Sequence, residues 1–238
     1  MISAFLLQLS LYTTLYSPNH RWDEKEYRRG MVFIPLIGIL LGLILYGTSL
    51  IIPDFLLGFS LLSLYCILSG GLHLDGFADT LDGVLARRGA KRALEIMKDP
   101  HLGTFGVLGL FLLLLAYFNY LPLIDTSLII LPAIGRFGGM VAGLGNKYAR
   151  SEGMGKFFIN SIHWVHIVLW LFILFGLGYY LSGIQNVICL SLCFIYAFIG
   201  GRWFKKKLSG MTGDTVGFII ESTQLLYIIF FLVVKQWI

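Results

Sequence analysis

The chain has 238 residues, of which 57% are hydrophobic and only 13% charged, against about 25% charged in ordinary soluble domains. Mean hydropathy is +0.81. These values exclude disorder, a secreted disulfide scaffold and a conventional soluble enzyme, and leave an all-α polytopic integral membrane bundle in a single domain over 1–238.

The first apolar run, Ile2–Tyr16, falls short of the roughly 20 residues a crossing helix needs. It is expected to be an amphipathic, interfacial or re-entrant helix. It lacks a basic leader and a small-residue cleavage site, so it reads as mature protein. Seven runs of crossing length follow, at Met31–Ile52, Phe55–Leu72, Gly103–Leu123, Ser127–Gly145, Ile162–Leu181, Val187–Phe204 and Val216–Trp237. Their apolarity is continuous and not alternating, which makes them helices and not barrel strands. Gly38 with Gly42, and Gly139 with Gly143, stand four apart and predict close helix packing. Cys66, Cys189 and Cys193 sit in apolar runs and read as packing residues.

The basic residues alternate with the spans. Arg21, Lys25, Arg28 and Arg29 precede the first. Arg87, Arg88, Lys91, Arg92 and Lys98 fall in 73–102; Lys147, Arg150 and Lys156 in 146–160; Arg202, Lys205, Lys206 and Lys207 in 202–215. Those segments hold sixteen of the eighteen Lys and Arg. The short connections near Pro53-Asp54, Pro122–Thr126 and Ser182–Asn186 hold none. The positive-inside rule then puts the basic side in the cytoplasm, in an inner membrane, with the active site facing it. Membrane lipid is an expected partner and nucleic acid is not; a homo-oligomer is left open.

The densest polar stretch is GGLHLDGFADTLDG at 70–83. In a helix Asp75, Asp79 and Asp82, at i, i+4 and i+7, share one face. Three like charges on a stripe repel, and a divalent cation would remove that penalty. Hard oxygen ligands suit Mg²⁺, which also bridges substrate phosphates. Asp99, held at a helix break by Pro100, is a further candidate ligand. Asp214 and Glu221, seven apart, complete the set. Glu221 and Arg136 lie within apolar runs, where an ionisable side chain must face the protein interior; a structural Arg136–Glu221 pair and phosphate binding by Arg136 are equal alternatives. Candidate contacts for substrate phosphates are Arg87, Arg88, Lys98, Arg136, Arg150, Lys156 and Thr212. His73, beside the acids, is a candidate for proton transfer with Asp79, Asp82 and Asp214. No P-loop, dinucleotide fingerprint or nucleophile elbow occurs. The residues alone therefore point to an Mg²⁺-dependent membrane enzyme acting on a phosphoanhydride.

The run GGLHLDGFADTLDG closely resembles the signature of the cobalamin synthase family, the adenosylcobinamide-GDP ribazoletransferases. The likeness continues through Arg29-Gly30 and FIPLIG at 33–38, LEIMKDPHLGTFG at 94–106, YARSEGMGKFF at 148–158 and GMTGDTVGFIIE at 210–221. It implies that adenosylcobinamide-GDP and α-ribazole, or its 5′-phosphate, are joined with release of GMP and a requirement for Mg²⁺. Pro100-His101 and Gln224 differ from what family members often carry. A CDP-alcohol phosphotransferase, suggested by Asp79-x-x-Asp82-Gly83-x-x-Ala86-Arg87, is one alternative, and release of CMP in place of GMP would mark it. A small-molecule transporter is a second.

Overall fold

The computed structural model describes residues 1–17 and 22–237; Arg21 lies outside them. All regular structure among the described residues is helical, apart from one isolated backbone bridge between Tyr148 and Met211. Its helices are α1 (Ile2–Tyr12), α2 (Glu24–Gly30), α3 (Ile34–Ser49), α4 (Asp54–Ser69), α5 (Leu72–Leu85), α6 (Gly89–Ile96), α7 (Thr104–Tyr120), α8 (Leu131–Gly143), α9 (Met154–Ser161), α10 (Trp164–Leu208) and α11 (Gly213–Lys235). Four stretches are long and apolar enough to cross a membrane: Glu24–Ser49, Thr104–Leu123, α10 and α11. A fifth arises if α4 and α5 are counted together as one broken span. The protein is thus built as a multi-pass membrane protein.

The expected runs appear as helices, with three informative differences. The runs Ile162–Leu181 and Val187–Phe204 belong to one 45-residue helix, about 68 Å at 1.5 Å per residue, far more than a bilayer core of about 30 Å. Ser182 and Gly183 interrupt it, Gly183 at φ 61°, a conformation open to glycine. The limbs fold back on each other as a hairpin. The rings of Phe175 and Phe194 lie 5.9 Å apart, and Asn186 Nδ2 donates to Gly178 O at 2.9 Å. The run Ser127–Gly145 is instead a 3-10 turn, Asp125–Ile129, followed by the 13-residue α8; Pro132 in the first turn of α8 restarts the helix. Finally, α5 leaves α4 at 90°. Gly70 and Gly71 take φ of 61° and 70° at that corner, and Thr14 fastens it by donating from its amide to Leu68 O and from its hydroxyl to Ile67 O.

Burial sorts the helices. Of the most apolar window of α11, 61% is buried, against 17% in α10, so α11 is central and the α10 hairpin faces lipid. α11 packs against α5, α8 and α10, and α3 packs against α8. Small residues allow this. A β-carbon on Gly38 or Gly42 would run into the backbone of Ala133 or Ile129, as the four-residue spacing predicts. α1, only 11 residues long, is too short to cross and packs on α2 and α3. The ends of the bundle differ in charge. At one end Lys235 pairs with Asp125 at 2.8 Å. At the other, Arg202 and Lys205 donate to the carbonyls of Leu144 and Gly145, where cations complement the C-terminus of α8.

Candidate active site

At this basic end α5 and α11 are nearly in backbone contact. A β-carbon on Gly76 would lie 2.8 Å from Asp214 Cα, and one on Gly217 would lie 3.0 Å from His73 O. The approach sets Asp75 and Asp79 on α5 against Asp214 in the first turn of α11. Asp214 is oriented from its own side. Thr212 caps α11, accepting from Thr215 N at 3.2 Å, and its hydroxyl donates to Asp214 Oδ2 at 3.3 Å. The segment 146–150 is tied to the turn before α11 by two backbone bonds of 2.8 Å, Ala149 N to Met211 O and Met211 N to Lys147 O. That pairing delivers Arg150, whose Nη2 stands 2.7 Å from Asp214 Oδ2 and also donates to Met97 O at 3.2 Å.

The three carboxylates feel one another. Burial, and then the charges of Asp75, Asp214 and Asp82, push the half-buried Asp79 carboxyl up to about 7, while Arg150 opposes the rise. A site that resists ionisation in this way favours a cation. Among the described residues no three His, Cys, Asp or Glu stand close enough to hold a metal alone. Where Mg²⁺ is bound by one or two carboxylates, substrate phosphates commonly supply further oxygens.

Beside these acids lies a cavity of about 270 Å³. Asp75, Lys98, Tyr148, Arg150, Glu152 and Asp214 line it with polar groups, and Ile34, Leu72, Met154, Phe158, Val216 and Ile220 with apolar ones. His73 and Arg136 also line it and are 5% and 0% exposed. Arg136 Nη1 donates to Pro132 O at 3.1 Å, but Nε and Nη2 have no partner, and neither has His73 Nε2. The His73 ring stacks on Tyr12, centroids 6.1 Å apart. Burial, and then the Arg136 charge, pulls the His73 pKa down to about 3, so the ring stays neutral and is a weak base.

The expected site residues therefore divide. Asp75, Asp79, Asp214, Arg150, Lys98, Arg136 and His73 lie at or beside the cavity. Asp82 does not line the cavity, and its two oxygens accept from Gly103 N at 2.8 Å and Gly106 N at 2.9 Å. It supplies the anion that the first turn of α7 needs. Glu221 is wholly buried among phenols. Tyr65 donates to it at 2.6 Å and Tyr117 at 2.9 Å, while Gln224 donates to Tyr65 at 2.8 Å. It forms no ion pair with Arg136. Asp99 is exposed and pairs with His101 Nδ1 at 2.7 Å, and the His101 amide and ring hold its carboxyl below the usual range. Arg87 and Arg88 are exposed between α5 and α6. Lys156 donates to Ser151 O at 3.1 Å. Thr212 positions Asp214 without lining the cavity. Sequence reasoning missed Tyr12, Ile34 and Tyr148 as cavity residues, although Ile34 and Tyr148 stand inside recognisable motifs.

A family profile described as cobalamin-5-phosphate synthase matches residues 4–232. An adenosylcobinamide-GDP ribazoletransferase from Alkaliphilus oremlandii is 35% identical over 237 residues, spanning 96% of each chain. One from Geotalea daltonii is 32% identical over 235 residues, 95% of each. One from Escherichia coli is 36% identical over 248 residues, 96% of this chain and 99% of its own. No solved structure matches.

Proposed function

The chain belongs to the cobalamin-5-phosphate synthase family, and from that membership we propose how its cavity works. The enzyme is a transferase of cobalamin synthesis. It joins adenosylcobinamide-GDP to α-ribazole, or its 5′-phosphate, and releases GMP in the final step of nucleotide-loop assembly. The acceptor occupies the cavity with a ribose hydroxyl turned toward Asp75, Asp79 and Asp214. The donor diphosphate lies across the mouth, near Lys98 and Arg150, where cationic donors offset the charge that builds on the departing phosphate. The hydroxyl oxygen attacks the phosphorus that bears the cobinamide alcohol. The bridging P–O bond breaks, and its electron pair leaves with GMP. The hydroxyl proton passes to the carboxylate cluster formed by Asp75, Asp79 and Asp214, which faces the acceptor.

Mg²⁺ would be held by Asp75, Asp79 and Asp214, and when bound it would neutralise the diphosphate and polarise its phosphorus. Asp82 fixes the helix junction behind these groups. In the membrane, α3, α4, α7, α8 together with the 3-10 turn before it, the two limbs of α10 and α11 provide seven passes, with the basic end and the cavity mouth in the cytoplasm. The bend between α4 and α5 then lays α5 along the inner boundary.

The observation that carries this reading is the convergence of Asp75, Asp79 and Asp214 with Arg150 at the mouth of a largely apolar cavity. The test is GMP release by purified protein given adenosylcobinamide-GDP, α-ribazole and Mg²⁺. Asp79→Asn should lower the rate at least a thousandfold with membrane insertion intact. A normal rate in that variant removes Asp79 from the chemistry.

A further inference from the structure

We propose that a groove on the lipid-facing side of the bundle is a specific site for one anionic phospholipid, with an acyl chain lying between the limbs of α10 and the headgroup phosphate held at Arg202 and Lys205. The site shares no lining residue with the cavity described above, and depends only on the protein lying in a bilayer.

The groove has a volume of about 360 Å³ and runs between the two limbs of α10. Ile167 and Phe175 line it from the first limb, Ser191 and Phe198 from the second, and Val141 from α8. Ser191 is the one polar residue in the lining, and its hydroxyl donates within the helix to Val187 O at 2.8 Å. What the groove offers is therefore hydrocarbon, and Ile195 and Phe198 are exposed along it. A contiguous apolar surface of this kind needs an apolar cover, and in a bilayer the cover at hand is an acyl chain.

Its length fits one leaflet. Ile167 and Phe175 are eight residues apart, about 12 Å of helix rise. Half of a hydrocarbon core of about 30 Å is about 15 Å. The groove thus seats a chain that ends within one leaflet, and is too short for a helix that crosses both.

The charge at one end selects the headgroup. Ser191, Ile195, Phe198 and Arg202 stand at i, i+4, i+7 and i+11 on the second limb, so they share one stripe of the helix. Arg202 lies one turn beyond the last apolar lining residue, its guanidinium 4.8 Å from the centre of the Phe198 ring. Its Nη2 donates to Leu144 O at 3.1 Å, and Lys205 donates to Gly145 O at 3.3 Å. These cations have carbonyl partners and no carboxylate. No Asp or Glu occurs from 153 to 213. Among the described residues Arg202, Lys205, Lys206 and Lys207 form no ion pair. Trp203, exposed on the same turn, is a residue type that settles at headgroup level. A half-buried guanidinium at that level presents the planar fork that grips two phosphate oxygens. The exposed Lys206 and Lys207 add attraction for a net negative headgroup and repel the cation of a zwitterionic one.

The test titrates delipidated protein in detergent with phosphatidylglycerol, with phosphatidylcholine of the same acyl chains and with inorganic phosphate, read by native mass spectrometry and by melting. Wild type should retain one phosphatidylglycerol per chain at least tenfold more tightly than phosphatidylcholine, and phosphatidylglycerol alone should raise the Tm. Arg202→Gln combined with Lys205→Gln should abolish the preference. Ile195→Trp fills the groove and leaves the cations in place, and should weaken phosphatidylglycerol retention at least tenfold. Equal retention of the two lipids by wild type overturns the site, as does a preference that survives the double substitution. A Tm rise with inorganic phosphate equal to that with phosphatidylglycerol overturns the role of the chain. A wild-type dimer that Ile195→Trp dissociates overturns the lipid as occupant, since a second copy then fills the groove. The comparison of lipids on wild type stands even if a variant does not fold.

Discussion

Asp79 carries a conflict between stability and use. Its carboxyl is raised to about 7, so the folded protein binds its proton more tightly than the unfolded chain does. The stability cost grows as pH rises from about 4 and is complete above 7. Asp79→Asn should therefore melt at a higher temperature than wild type at pH 8, and no higher at pH 4, while losing transfer. Calorimetry in detergent at both pH values checks this. If Asp79 holds Mg²⁺ as proposed, proton and metal compete for its carboxylate. The Mg²⁺ concentration for half-maximal GMP release should be about tenfold higher at pH 6 than at pH 8, the ratio set by a pKa near 7. Asp82 shows what spacing leaves out. Positions i and i+7 share a stripe, but they are separated by about 10 Å along the axis. Asp75 thus faces the cavity while Asp82 meets the amides of Gly103 and Gly106. The sequence was a sound guide to azimuth and silent about the neighbour opposite. Glu221, two turns beyond Asp214, parted from the acids for the same reason.

The pair α5–α11 is the element on which the site depends. Gly76→Val would put a side chain where Asp214 Cα stands 2.8 Å from the new β-carbon. The helices would have to separate, with a loss of about 1–3 kcal/mol and at least a tenfold fall in GMP release. Gly176→Ala on α10 has nothing within 4 Å of the new carbon and should leave Tm and rate unchanged or slightly raised; melting and turnover of both variants test the contrast. Behind the site, Tyr65 joins α4 to α11 through Glu221 and Gln224. Tyr65→Phe strips a partner from each and should cost about 1–3 kcal/mol, read as a lower Tm with little change in KM. Gln224 serves here as a donor to a phenol. The existence of these helices was plain from hydropathy, and the break at Ser182–Gly183 fell at a connection free of Lys and Arg. The bridge between Tyr148 and Met211 was invisible, because it joins distant segments by backbone groups that carry no residue signature.

Over the whole molecule, charge and burial describe the same axis. Sixteen of eighteen basic side chains lie in four segments, and the described ones gather around the cavity end, while Lys235 and Asp125 mark the far end. In a cysteine-free background, a cysteine replacing Lys206 should react with an impermeant maleimide only in inverted vesicles, and one replacing Lys235 only in right-side-out cells. The reverse pattern would invert the proposed orientation. The dimensions of the cavity have one more consequence. A hollow of about 270 Å³ sits at or below the small end of ligand sites, which run from about 300 to 1,000 Å³. A hollow of that size is too small for a macrocycle, so on the proposed reading the acceptor takes it and the macrocycle of the donor stays outside. Exchanging the adenosyl group for cyanide should leave turnover unchanged, whereas enlarging the acceptor's base should abolish it.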